Sequence, residues 1–333
     1  MTDFRSDRIS RRVALGSVVA NFAALACRAQ ERAHTSASQA LAAFGDQARQ
    51  LILKTIADPS FRGRILSATV KQLMALERKT IDQLMLALHP LASACARPPL
   101  SNFLAGAVAQ GSSGSLYLGA NIEVPGEGLG QTVHAEQASV ANAYMSGEPA
   151  VTAIAGTDAP CGHCRQFLNE LSPGRDIRVV IQDKPPTMLS VLLPMPFGPK
   201  DLGFPQGAMP IREQSLSLLT RSSDPLVTAA LSAARKSYAP YTASHSGIAL
   251  DVSANRVFAG SYIENAAFNP SLSPLQTALA GLLAAGLEPS NIARAVLVEA
   301  EPAKISQVGV TRAALLSLAP SARFETLKAR HSG

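Results

Sequence analysis

The sequence predicts an α/β fold in which a sheet covered by helices occurs twice in one chain, behind a small helical N-terminal domain. Three observations predict it. Within residues 98–193 the apolar patterning alternates strand, strand, helix, strand, helix, strand. Matching residues then recur at a constant offset of 141: Pro99 with Pro240, Gly106 with Gly247, Gly119 with Gly260, Glu123 with Glu264, and Ser101 opposite Thr242. A repeat of this kind implies two copies of one supersecondary unit, and two of its matches are glycines of turn type. Ahead of both copies, residues from about 44 to 97 carry apolar side chains at three- and four-residue spacing.

Residues 1–44 form an extension. Ser10-Arg11-Arg12 precedes an apolar stretch at 13–27 that ends in Ala24-Leu25-Ala26, the form of a twin-arginine export signal. Its Arg and Ser content also fits an organelle transit peptide, against which Asp3 and Asp7 count. We read it as an extension ahead of a cytoplasmic enzyme, with export and organelle targeting as the alternatives. At 15 residues, with Asn21 inside, the stretch is too short to span a bilayer, so no membrane partner is expected.

The helical domain, 45–97, reads as helix over 47–56 and 70–88, with Pro90 and Pro98-Pro99 ending it. In residues 98–193, strands are predicted at 105–109 and 115–118, joined as a hairpin through Gly111-Ser112-Ser113-Gly114. A helix follows from near Val133 to Met145, stopped by Ser146-Gly147. Residues 150–155 are a buried strand, 161–171 a helix stopped by Pro173-Gly174, and 177–181 a strand. Residues 194–222 make a Pro- and Gly-rich linker, and 223–333 hold the second copy, with a strand at 295–298.

Composition narrows the function. Apolar residues are 47% and charged residues 16%, an ordinary globular balance. The net charge of +6 is no polynucleotide signal, because six Arg against three acidic residues in the first 40 positions supply +3 of it. Trp is absent and aromatics are 5%, so stacking platforms are scarce and no nucleic-acid partner is expected. Four cysteines do not make a disulfide framework. Cys27 and Cys95 read as small packing residues.

The chemistry lies in His134-Ala135-Glu136 and Pro160-Cys161-Gly162-His163-Cys164. His134, Cys161 and Cys164 offer three ligands for a divalent metal and leave a fourth position open, as a catalytic zinc requires. Two soft sulfurs and an imidazole suit zinc rather than magnesium or calcium. Both motifs open helices, whose positive ends favour thiolates. Glu136 is placed to move a proton. Arg165 either tempers the thiolate charge or is a surface arginine. Alternatives remain: the cysteines could be a redox pair, or His163 could complete a closed structural site. His34, His89, His245 and His331 have no ligand partner at a recognisable spacing. The second copy reads Pro274-Leu275-Gln276 in place of the His-x-Glu, and Glu301-Pro302-Ala303-Lys304 in place of the cysteine motif. One zinc per chain is expected, not two.

The His-x-Glu and Pro-Cys-x-x-Cys combination is the signature of zinc nucleobase deaminases. Over nearly all of residues 45–333 the chain resembles the cytidine deaminase family in its larger, two-domain dimeric form. Carrying this are Leu100-Ser101-Asn102-Phe103, Gly119-Ala120-Asn121-Ile122-Glu123, Thr132-Val133-His134-Ala135-Glu136-Gln137, Pro160-Cys161-Gly162-His163-Cys164-Arg165-Gln166, Phe197-Gly198-Pro199-Lys200-Asp201-Leu202 and, in the second copy, Glu264-Asn265-Ala266-Ala267-Phe268. The resemblance implies a three-layer cytidine-deaminase-like sheet, duplicated and degenerate in its second copy. It implies hydrolytic deamination of cytidine and deoxycytidine by a zinc-bound hydroxide, in pyrimidine salvage, with Glu136 as proton carrier. Asn121 and Glu123 would then bind the ribose hydroxyls and Phe103 the pyrimidine ring. Phe197 of the partner subunit would complete each site in a homodimer. The sequence departs from the family at Ala159, where Thr or Ser is usual, at Asp158, where an aromatic is usual, and in the extension. Rival readings are a deaminase acting on a polynucleotide or nucleotide base, and a non-catalytic zinc-binding assembly protein.

Overall fold

The computed structural model describes residues 39–171, 176–252 and 256–332. The candidate targeting segment, Cys27 and His34, and the Pro173-Gly174 stop lie outside the described residues. Two mixed sheets carry the fold. Arg64–Ile65 (β1), Gly106–Gly111 (β2), Leu116–Ala120 (β3), Val151–Gly156 (β4), Arg178–Ile181 (β5) and Thr187–Met188 (β6) form the first, in the order β1-β3-β2-β4-β5-β6. Leu216–Leu218 (β7), Ser246–Val252 (β8), Arg256–Ser261 (β9), Ile292–Ala300 (β10) and Arg323–His331 (β11) form the second, in the order β7-β11-β10-β8-β9. The duplication is visible in the pairing. β2 is antiparallel to β3 and β4, with β4 parallel to β5; likewise β8 is antiparallel to β9 and β10, with β10 parallel to β11.

Helices cover both faces. Asp46–Ile56 (α1), Ser67–Glu77 (α2) and Ile81–Ser93 (α3) lie on the outer face of the first sheet, burying Ile52, Leu73, Leu84 and Leu88 against Val108, Leu116, Leu118 and Ala153. Leu41 and Phe44, assigned above to the extension, are buried in this same layer. The short helix Leu189–Leu192 (α6) follows β6, and Pro225–Arg235 (α7) covers the outer face of the second sheet. Between the sheets lie Ala135–Met145 (α4) and Pro274–Ala284 (α8), joined in one core. Nine of the eleven α4 residues and ten of the eleven α8 residues are buried. A helix buried nearly all round must be apolar, small or hydrogen-bonded on every face; α4 carries four Ala with Ser139 and Val140, and its buried Gln137 and Asn142 are hydrogen-bonded. Asn142 bridges the layers, its Nδ2 donating to the Leu118 carbonyl at 2.8 Å and the Ala280 carbonyl at 3.4 Å.

The strands and helices predicted for 98–193 form close to their expected bounds. Three expectations need correction. The matched glycines are not turn residues: Gly119 and Gly260 sit inside β3 and β9, where a Cβ would lie 2.1 Å from Ser139 N and from Pro274 O respectively. They let a helix backbone lie against a strand. The helix expected over 70–88 is two helices, because Arg78 adopts φ 50° and Thr80 starts α3 with a capping box to Gln83. Nor does Pro90 end that helix, which runs on to Ser93. An interior proline costs about 3 kcal/mol, and burying Leu88 and Leu91 at about 1.5–3 kcal/mol each offsets it. Within the Pro- and Gly-rich stretch, β7 pairs antiparallel with β11 and so adds a strand to the second sheet.

Candidate active site

His134 is the N-cap of α4, its backbone N–H donating to Gln137 Oε1 at 3.2 Å. Cys161 is the N-cap of Gly162–Asn169 (α5), and Cys164 sits in that helix's first turn. Two helix starts thus bring the three predicted ligands together. Cys161 Sγ lies 3.5 Å from His134 Nδ1, Cys164 Sγ lies 3.3 Å from it, and the two sulfurs are 3.6 Å apart. A tetrahedral zinc with bonds of about 2.3 Å to sulfur and about 2.0 Å to nitrogen spaces such atoms by about 3.5–3.8 Å. The donor set fits zinc. Among the described residues it is the only group of three His, Cys, Asp or Glu side chains converging in this way.

The electrostatics favour a thiolate at one sulfur and keep the proton on the other. The Cys161 thiol is pulled down to about 4, first by the hydrogen bond from Cys164 Sγ, with the Cys164 and His163 N–H groups and the His134 ring adding to it against burial. That same bond, with burial and the neighbouring Glu136 carboxylate, pushes the Cys164 thiol up. Glu136, half-buried in the first turn of α4, lies close enough to Cys164 for its charge to act on that thiol. His163 does not join the ligand group. Its ring packs 5.3 Å from the His134 ring, and burial followed by the nearby His134 lowers its pKa.

Arg165 points its hydrogen bonds elsewhere than at the sulfurs. Its Nε donates to the Pro160 carbonyl at 2.7 Å and its terminal nitrogen to the Leu192 carbonyl at 2.9 Å, so it braces the loop ahead of Cys161. Asn121 and Glu123 are buried and also hold backbone. Asn121 Oδ1 accepts from Ala105 N–H at 3.0 Å, while its Nδ2 donates to the Phe103 carbonyl at 2.9 Å. Glu123 accepts from Leu100 N–H at 2.7 Å, Ser101 N–H at 3.0 Å and Ser101 Oγ at 2.5 Å. Together they fix the segment that carries Phe103, whose side chain is 61% exposed. Phe197 is 47% exposed, and its carbonyl accepts from Gln166 Nε2 at 2.6 Å and Asn169 Nδ2 at 3.2 Å, both on α5. Asp158 lies near enough to His89 for its charge to act there, although burial lowers the His89 pKa more.

An open cleft leads to the ligands, lined by Leu129, Gly130, Thr132, His134, His163 and, from the second half, Asn269. Sequence reading missed Asn269. Its signal was positional: the segment before α8 corresponds to the one before α4, and the two helices pack against each other. The caps also correct the repeat alignment by one residue. Ser273 caps α8 with Gln276 at the third position, as His134 and Gln137 do for α4, so Ser273 rather than Pro274 stands where the first half has its histidine.

Residues 78–181 match a family model described as Cytidine and deoxycytidylate deaminase zinc-binding region, and residues 189–312 match a second model of the same description. The cytidine deaminase of Shewanella sp. (strain MR-4) is 44% identical over 260 residues, which is 78% of this chain and 87% of that protein. The cytidine deaminase of Shewanella amazonensis is 45% identical over 259 residues, again 78% of this chain and 87% of that protein. With its ligand triad, its carboxylate and its duplicated sheets, this chain belongs to the cytidine deaminase family.

Proposed function

We propose that the protein deaminates cytidine and deoxycytidine hydrolytically, giving uridine or deoxyuridine and ammonia, as a step of pyrimidine salvage. The observation that carries this is the Glu136 carboxylate standing beside a three-ligand site that leaves one position open. His134, Cys161 and Cys164 would hold a zinc ion, which would supply Lewis-acid activation of the attacking water. Glu136 is the proton carrier, moving a proton from the attacking water to ring nitrogen 3 and then one to the departing ammonia. The N-terminal ends of α4 and α5 favour negative charge at the site.

Asn121 and Glu123 are assigned to the ribose hydroxyls. An ionised carboxylate has about four acceptor positions, and three on Glu123 are filled by Leu100 and Ser101. A carboxylate there repels a phosphorylated sugar, which favours the free nucleoside. Phe103 packs against the pyrimidine. Phe197 of the partner subunit completes the site in a homodimer; exposed apolar side chains at Leu100, Leu104, Met195 and Phe197 support such an association. No helix among the described residues is long and apolar enough to cross a membrane.

Ammonia release from cytidine, from cytidine monophosphate and from a short single-stranded oligonucleotide tests the proposal. Turnover of the nucleoside and not of the other two is expected. Preference for the nucleotide or the oligonucleotide would replace it with the corresponding rival.

A further inference from the structure

The cleft wall ahead of His134 is a glycine-rich loop, residues 125–131, containing Gly126, Gly128 and Gly130. A Cβ added at any of these three glycines would meet nothing within 4 Å, and Leu129 is 78% exposed. Side-chain packing does not fix this loop. Its backbone bonds Glu127 N–H to the Val124 carbonyl, Gln131 N–H to that of Gly128 and Thr132 N–H to that of Leu129 are internal. Its remaining hydrogen bonds among the described residues come from the half without metal ligands. Ser317, on Val308–Leu318 (α9), donates through Oγ to the Pro125 carbonyl at 2.6 Å, at the head of the loop. Gln276, on α8, donates through Nε2 to the Gln131 carbonyl at 3.1 Å and the Gly130 carbonyl at 3.5 Å, at its tail.

Gln276 is itself held, because its Oε1 accepts from Ser273 N–H at 2.8 Å. Gln137 repeats the device in the opposite direction. Its Oε1 caps His134 N–H, and its Nε2 donates at 3.0 Å to the carbonyl of Pro270, the residue after the cleft-lining Asn269. Each half therefore caps its own central helix and uses the same glutamine to hold the other half's loop at the cleft.

We propose that the metal-free half is the mount of the cleft wall, with Gln276 and Ser317 as positioning residues that hold residues 125–131 for substrate. The second half thus serves the reaction without touching the reacting atoms. For its kinetic consequence this rests on the reading of the cleft as the nucleoside site.

The test uses Gln276→Glu, which keeps the acceptor for Ser273 N–H but aims a second acceptor at two carbonyls, combined with Ser317→Ala. In the zinc-loaded protein, amide hydrogen exchange at Gln131 and Thr132 is expected to speed by about tenfold, the worth of one or two hydrogen bonds. KM for cytidine is expected to rise about tenfold with kcat within about threefold, and zinc to stay bound. Unchanged exchange in the folded double variant overturns the proposal, as does faster exchange with unchanged KM. Should the double variant not fold, Ser317→Ala alone carries the same test at the head of the loop, with Ser317→Thr restoring the hydroxyl and the parent values. If the parent protein does not turn over cytidine, the functional reading falls, while the exchange measurement still decides whether the second half holds the loop.

Discussion

Glu123 in the first half accepts from Leu100 N–H, Ser101 N–H and Ser101 Oγ; Glu264 in the second accepts from Tyr241 N–H at 2.8 Å, Thr242 N–H at 3.2 Å and Thr242 Oγ1 at 2.6 Å. The same clamp stands in a half with no metal ligands, so it belongs to the frame and not to the chemistry. The two copies part at the next neighbour. Where the first half has Asn121, the second has Tyr262, whose hydroxyl donates to Glu264 Oε1 at 3.3 Å. Glu264 is filled from within the protein. Glu123 has no such fourth donor among the described residues, and the acceptor position left over is the one the proposed ribose contact would use. On the proposed reading, a shared frame becomes a binding site when a single hydrogen bond is left unmade.

The sharpest break between the halves is at Glu136. Glu136→Gln is expected to lower kcat by about 10²–10⁴-fold with zinc retained, as loss of a general acid–base predicts, measured by ammonia release alongside metal content. The frame, by contrast, should respond alike in both copies. Gly119→Ala and Gly260→Ala each force a Cβ into helix backbone and are expected to cost about 1–3 kcal/mol in urea unfolding. Only Gly119→Ala should also depress activity, since it presses on the Ala135 and Ser139 backbone flanking Glu136. Equal activity in the two variants would mean that α4 tolerates displacement.

The carboxylate pair sharpens the comparison further. Glu123→Gln is expected to raise KM about tenfold, the worth of a charged hydrogen bond to substrate, and Glu264→Gln to leave KM unchanged. Burial raises the Glu123 pKa, but the hydrogen bonds from Ser101 Oγ, Ser101 N–H and Leu100 N–H outweigh it, leaving the group below its ordinary 4.5. Its contribution to stability is therefore present above pH 4.5 and is lost as the pH falls through the folded value. Acid unfolding of Glu123→Gln should be less steep in that window than that of the parent protein. The smallest effect is expected between the halves, where Arg97 forks onto Glu288 through Nε at 2.9 and 3.0 Å. Both side chains are about a third exposed, so Glu288→Gln should cost no more than about 1 kcal/mol, and less at high salt.

The ligand triad, the carboxylate and the duplication were legible in the sequence because each rests on residue type at fixed spacing. What escaped was decided by tertiary contact or by a local signal passed over. The start of α3 is of the second kind: Thr80 and Gln83 form the three-apart capping pattern, in plain view beside the chosen continuous helix. The glycines at 119 and 260 are of the first kind, since a turn glycine and a close-approach glycine look identical until the helix beside them is known. Arg165 follows Cys164 directly, which suggested a charge for the thiolates, but a side chain that long reaches the Leu192 carbonyl instead. Ser317 carries no motif at all, and the capping pattern of Ser273 and Gln276 says nothing of the second bond that Gln276 makes. Their partners lie across the shared core, and no spacing along the chain announces them.

The central claim is that one half holds the metal and the chemistry while the other holds the frame. Titrating zinc into the metal-stripped protein while following cytidine deamination tests it most directly. Activity should rise in proportion to bound zinc and level off at one zinc per chain, with Cys164→Ala binding none and remaining inactive. Full activity without zinc, or a plateau reached only at two zinc ions per chain, would contradict it.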